Sequence, residues 1–283
     1  MSFYCSTDSE ADSFELMCIL KADQNMNIKE YITESGGNED DDNHIDDISR
    51  KILKRIKLHN SNYPFTLHNS LLKVNKENIE LYHSYFFLLL ASPCEKYFLE
   101  IKKDTRKDLE SNFESYAHES IKKANENEEF IKTEVRTFKL GTVDNPYGNL
   151  QRALPVLCSE LGLQEGTQKP TSHDKDCGVD FVVYHRSSRT MGMWQATIQK
   201  ELKSKIQQID TDMWEKFIGE PVKFKKNLVV PFPVDKDHIG PYSHVYFCGR
   251  WELINKFRNV LLGDSNKSAI IEKLLDIVIK TQE

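Results

Sequence analysis

The chain has 283 residues, 39% of them hydrophobic and 29% charged, with a formal net charge of −6 at pH 7. That length buries a sizeable core, and the acidic balance excludes a protein that coats nucleic acid indiscriminately, which requires a positive surface facing the phosphates. The longest apolar run, Tyr85 to Ala91, is too short to span a bilayer, the N-terminus MSFYCSTDSEADSFEL has no basic region followed by an apolar core, and the six cysteines are scattered singly, so the expectation is a cytoplasmic protein with reduced thiols and no membrane partner.

In chain order, FELMCILKA (14–22) is apolar enough for a strand or a helix, and its periodicity does not separate the two. ESGGNEDDDNHIDD, at about 33–47, reads as an exposed acidic linker; its Asp40, Asp41 and Asp42 lack the alternating ligands and terminal glutamate of a calcium loop. From Ile45 to Leu58 the apolar residues Ile45, Ile48, Ile52, Leu53 and Ile56 recur at helical spacing, with Lys51, Lys54, Arg55 and Lys57 on a face that is solvated or touches nucleic acid. Tyr63-Pro64-Phe65 opens an extended piece. Ile79 to Leu90 is the most apolar helix, stopped at Pro93. Residues 1–105 therefore read as a mainly helical extension and 106–283 as a second domain. Within the latter, Asp108 to Asn125 is a helix with Leu109, Phe113, Tyr116, Ala117 and Ile121 on one face and Glu114 beside it. Residues 136–149, with Gly141, Asn145-Pro146 and Gly148, read as a loop, and Leu150 to Leu161 as a helix ending at Gly162.

The stretch from Asp176 to Lys205, DCGVDFVVYHRSSRTMGMWQATIQKELKSK, reads as strand, turn, strand, helix. Asp180 and Gln195 then fall within neighbouring strands that are otherwise apolar. A carboxylate and an amide are costly in a sheet core unless paired, either with backbone groups or with a metal ion and its substrate. His173 and Cys177 lie four apart but lack a second ligand pair. Lys200, Lys203, Lys205, Lys216, Lys223, Lys225 and Lys226 follow, interleaved with acids, as a local basic face or an ordinary solvated surface. Beyond them lie a short helix at Met213–Ile218, strands at Asn227–Pro233 and Val245–Cys248, a helix in RWELINKFRNVLL, and a last helix at Ser268–Ile279.

A helix bearing Glu114, a strand carrying Asp180 after a glycine, a strand ending in Gln195 and a lysine-bearing helix together resemble the PD-(D/E)xK restriction-endonuclease-like superfamily. The segments FES, DCGVDFVVY, WQAT and LKSK carry the resemblance, over roughly residues 108–260. The nearest flavour is the Mrr-like group, where glutamine often replaces the second acid, and the pattern is also similar to nuclease-like proteins of bacterial anti-phage defence systems. The resemblance implies an α/β fold with a mixed central sheet flanked by helices. It further implies a metal-dependent DNA endonuclease using Mg²⁺, with Mn²⁺ as a substitute, acting on double-stranded DNA as the effector or a subunit of a defence complex with partners such as an ATPase. In that scheme Asp180 is the principal metal ligand, Gln195 and the backbone carbonyl of Ala196 add oxygens, Lys205 orients the water, and Glu114 holds a water from the opposite side. The sequence departs from the usual motif at Thr197, where a lysine is expected two residues after the second acid. Lys205 on the next helix takes its place, with Lys200 as competitor. The alternative is a non-catalytic subunit of nuclease fold that mediates assembly or DNA binding.

Overall fold

The computed structural model describes residues 9–21, 24–59, 63–75, 79–92, 103–126, 135–140, 149–171, 177–199, 201–234 and 242–257. Two compact units emerge, one within Cys5–Arg106 and one within Lys107–Val260. Both combine helices with a sheet, so the chain is mixed α/β.

The N-terminal unit contains α1 (Ser9–Leu20), β1 (Asn25–Asn27), α2 (Ile28–Glu34), α3 (Asp42–His59), β2 (Phe65–His68), β3 (Leu71–Val74) and α4 (Ile79–Ala91). The ambiguous FELMCILKA segment is helical. Helices make up most of this unit among the described residues, and beside them β1, β3 and β2 form a small antiparallel sheet in that order, which the sequence pattern does not anticipate. Asn69 and Ser70 join β2 to β3 with positive φ of 48° and 63°, the backbone of a tight two-residue hairpin. The acidic linker is also shorter than expected. The Asp41 carboxylate accepts the N–H groups of Asn43 at 3.1 Å and His44 at 3.2 Å, so this acid starts α3 instead of loosening the chain.

Arg55 is a second correction. Its spacing from Ile45, Ile48 and Ile52 places it on the buried stripe of α3, while Leu53 is 51% exposed. The guanidinium pairs with Asp12 at 2.9 Å and Glu15 at 2.5 Å, all three residues being buried. Tyr63 and Tyr85 each donate a hydroxyl to Glu15, one to each carboxylate oxygen. Removing such charges from water costs several kcal/mol per ion, roughly, which only this density of partners offsets. Burial, and then the Glu15 charge, push the Tyr63 phenol well above its usual range.

The C-terminal unit contains α5 (Lys103–Glu126) from Lys107 onward, β4 (Val135–Lys139), α6 (Leu150–Leu161), β5 (Phe181–His185), β6 (Thr190–Ala196), α7 (Leu202–Gln208), α8 (Thr211–Phe217), β7 (Lys223–Val229), β8 (Tyr246–Cys248) and α9 (Arg250–Phe257). The sheet order is β4-β5-β6-β7-β8, antiparallel from β4 to β6 and parallel from β6 to β8. Parallel pairing of β6 with β7 requires a long crossover, which α7 and α8 supply. The expectation of a loop from residue 136 is overturned by β4, which pairs residue for residue with β5. VRTFK carries two cations and only Phe138 of it is buried, the composition of an edge strand, which carries a weak hydrophobic signal. Strand β7 likewise starts at Lys223, ahead of the expected Asn227, because Lys223 and Lys225 alternate outward.

Helix α6 has the boundaries its periodicity predicts. Asn149 caps it by accepting the N–H of Arg152, and Gly162 closes it in the left-handed region at φ 71°. Its Leu150, Ala153, Leu154, Leu157 and Leu161 pack with Val182 and Tyr184 of β5, Met191 and Met193 of β6, and Trp214 and Phe217 of α8. Helix α7 is seated differently. Leu202 and Ile206, one turn apart, join Leu228, Val230, Phe232, Val245 and Phe247 in a separate apolar cluster.

Candidate active site

Asp180 stands one residue ahead of β5 yet continues its ladder. Its N–H donates to the Trp194 carbonyl at 2.8 Å, and its own carbonyl accepts the N–H of Leu140 at 2.6 Å. The expectation that it lies within the strand is thus off by one residue. The carboxylate reaches across to the end of β6, where Oδ2 accepts the Ala196 N–H at 2.7 Å, a charge-assisted bond that fixes the side chain against the strand end. Gln195 precedes that amide and is 6% exposed. Its Nε2 donates to Gln208 Oε1 of α7 at 3.3 Å. Its Oε1 is buried and has no hydrogen-bond partner among the described residues. Leaving such an acceptor unmet costs about 1–3 kcal/mol, so this amide oxygen is the feature of the site that most requires an explanation.

The residues that carry these groups line one cavity of about 370 Å³, within the range of small-ligand sites. Asp180, Gln195 and Ala196 line it from the sheet, Thr197, Ile198 and Gln199 from the segment after β6, and Lys205 from α7. Lys107, Glu110, Ser111 and Glu114 line it from α5. Their spacing of three, four and seven residues is one face of that helix. The structure therefore brings Glu114, Asp180, Gln195, Ala196 and Lys205 to a single cavity. Lys200 and His173 lie outside the described residues. Sequence reasoning missed Lys107 and Glu110, although both follow from the helical period once Glu114 is singled out, and it missed Gln208, which no motif marks.

Three carboxylates, Glu110, Glu114 and Asp180, share the cavity with two ammonium groups, Lys107 and Lys205. Among the described residues no group of three or more His, Cys, Asp or Glu is placed to hold a metal ion. The lining offers oxygen donors, carboxylates and the Gln195 amide, with no histidine or cysteine among its residues, a chemistry closer to Mg²⁺ or Mn²⁺ than to zinc. No helix among the described residues is long and apolar enough to cross a membrane. Compared with family models, with curated proteins and with solved structures, the chain finds no match, so the reading of the cavity rests on its own geometry.

Proposed function

We propose that the C-terminal unit is a metal-dependent DNA endonuclease with a restriction-endonuclease-like fold. The observation that carries the reading is the meeting of Asp180, the orphaned Oε1 of Gln195, Glu114 and Lys205 at one cavity, in the order the sequence motif requires. A five-stranded mixed sheet in which the acid, one residue ahead of β5, and the amide, near the end of the neighbouring inner strand β6, lie at adjacent strand ends supports it.

Asp180, Gln195 through Oε1 and Ala196 through its carbonyl would hold a divalent cation. The chemistry such an ion would supply is polarisation of a phosphodiester oxygen and a lowered pKa of water. The chain's own residues supply the rest. Lys205 places a positive charge where the phosphorane develops its negative charge, Glu114 accepts a hydrogen bond from water entering on the α5 side, and Lys107 offers a second cation to the DNA backbone. The resemblance to defence nucleases extends the proposal to the effector or a subunit of a bacterial anti-phage complex. Partner subunits belong to that extension.

Cleavage of plasmid and linear duplex DNA in Mg²⁺ or Mn²⁺ tests the reading. Asp180→Ala should abolish it with the fold intact, and Lys205→Met should lower kcat by about 10²–10³, the scale of losing one charge-stabilising group. Lys203→Met, an exposed position on the same helix, should change little. Equal cleavage by Asp180→Ala and wild type would refute the proposal. Thr197, at the position where the motif carries its lysine, favours a second reading, a nuclease-fold subunit that binds DNA without cutting it. It predicts no cleavage by the wild type under any metal, alone or with a co-purifying partner.

A further inference from the structure

We infer that Gln208 is a positioning residue that sets the polarity of the Gln195 amide, making Gln195 an oxygen donor to the cavity; this rests on the metal-site reading above. A buried primary amide has two faces of opposite character, and a simple rotation exchanges them. With its oxygen toward the cavity, Gln195 is a cation ligand. With its NH₂ there, it repels a cation. The backbone of β6 does not choose between the two, and among the described residues the Gln195 side chain bonds through Nε2 to Gln208 Oε1 at 3.3 Å. That bond anchors the NH₂ group to α7 and leaves Oε1 as the buried atom with no protein partner.

Gln208 is itself well held by its backbone. Gly178, with φ +73°, lies so near the end of α7 that a Cβ there would stand 2.4 Å from the Gln208 carbonyl oxygen. Two residues on, the Asp210 N–H donates to the Cys177 carbonyl at 3.3 Å, and Asp210 caps α8 by accepting the Met213 N–H at 3.0 Å. The C-terminus of α7 is thus pinned against the turn that leads to Asp180. Lys205 lies three residues before Gln208, hence on the same side of α7. One short helix, seated by Leu202 and Ile206 in its apolar cluster, thereby carries a cavity cation and the residue that orients a cavity ligand.

Side chains that orient metal ligands from behind are typically worth about 10–100-fold in metal affinity. Mn²⁺ binding to the full chain without DNA, followed by electron paramagnetic resonance, isolates this effect from catalysis. Gln208→Leu removes the acceptor and should weaken Mn²⁺ by roughly ten-fold or more. Gln208→Glu retains an acceptor-only carboxylate facing the Gln195 NH₂ and should bind Mn²⁺ at least as tightly as wild type, a rescue that a merely structural role would not show. In cleavage assays the leucine variant should need more metal to reach half-maximal rate, with the rate at saturating metal moved less. Wild-type affinity in Gln208→Leu, or equal losses in the leucine and glutamate variants, overturns the inference while leaving the metal site standing. No Mn²⁺ binding by the wild type, or binding untouched by Asp180→Ala, overturns both.

Discussion

Gly178 and Gly162 form a natural experiment in one unit of the chain, because they share a backbone conformation and differ in what surrounds them. Their φ angles are +73° and +71°. An alanine at either position meets the same penalty for the left-handed region, about 1–2 kcal/mol, partly offset by about 0.4–1 kcal/mol from a less flexible unfolded chain. At Gly162 a new Cβ has only the Arg186 side chain nearby, at 3.2 Å, and that flexible guanidinium can move. At Gly178 it meets the Gln208 carbonyl oxygen at 2.4 Å and the carbonyl carbon at 2.5 Å, which move only with α7. Overpacking against backbone adds about 1–3 kcal/mol, and since the conformational terms cancel, that range is the expected difference between Gly178→Ala and Gly162→Ala. All three tryptophans, Trp194, Trp214 and Trp251, lie in the C-terminal unit, so urea unfolding followed by tryptophan fluorescence reports on that unit. Gly178→Ala should also weaken Mn²⁺ and cleavage, because the displaced helix carries Lys205 and Gln208, whereas Gly162→Ala should leave both near wild type. Equal destabilisation by the two substitutions would refute the claim that close approach at Gly178 locks α7 in place.

Two further predictions concern the N-terminal unit. Arg55→Met strands Glu15 and Asp12 in the interior and should cost about 3–5 kcal/mol, while the triple change Arg55→Met, Asp12→Asn, Glu15→Gln should recover most of it; circular dichroism during denaturation checks this, and a single-variant loss under about 1 kcal/mol would contradict the buried geometry. His59 has its pKa lowered from 6.5 to about 4 by burial first and the Arg55 charge second. Between those values the unfolded chain binds a proton that the folded chain refuses, so this group destabilises the fold progressively as pH falls from 6.5 toward 4. His59→Gln should flatten that part of a thermal-midpoint profile, and an unchanged slope would count against the burial.

What the sequence made legible follows how each element announces itself. Helix α6 was readable to the residue because its apolar stripe, its Asn149 cap and its Gly162 stop agree. Strand β5 was readable because VVY is buried on both faces. Strands β1, β3 and β4 were not, since three to five residues with lysine, arginine or asparagine among them give no period that stands above a loop. Arg55 misled for a physical reason, as an arginine on an apolar stripe looks like a break in the stripe until its carboxylates, 40 residues away in sequence, come into view. Asp180 and Gln195 were legible as polar exceptions in apolar strands, whereas Glu114 and Lys205 were singled out only through the resemblance. Gln208 and Glu110 were not, since both are ordinary polar helix residues whose role comes only from tertiary contact.

The amide at position 195 follows from the charge already present. Asp180, Glu110 and Glu114 line the cavity, and Gln195, at 6% exposure, is more buried than any of these three acids. A fourth carboxylate there would stand beside Asp180 in a low-dielectric setting, where one of two neighbouring acids keeps its proton and donates instead of accepting. Glutamine would supply an oxygen to a metal without that repulsion, but its oxygen would count only if the NH₂ were held elsewhere, the role inferred for Gln208. On the proposed function an amide ligand would bind a cation more weakly than a carboxylate, which would shift the balance toward Lys205 and Lys107 for holding a phosphate. On this account Gln195→Glu should tighten Mn²⁺ only at a pH above the raised pKa of the new acid, and it should do so without help from Gln208→Glu, because two facing carboxylates would restore the repulsion that the glutamine pair avoids.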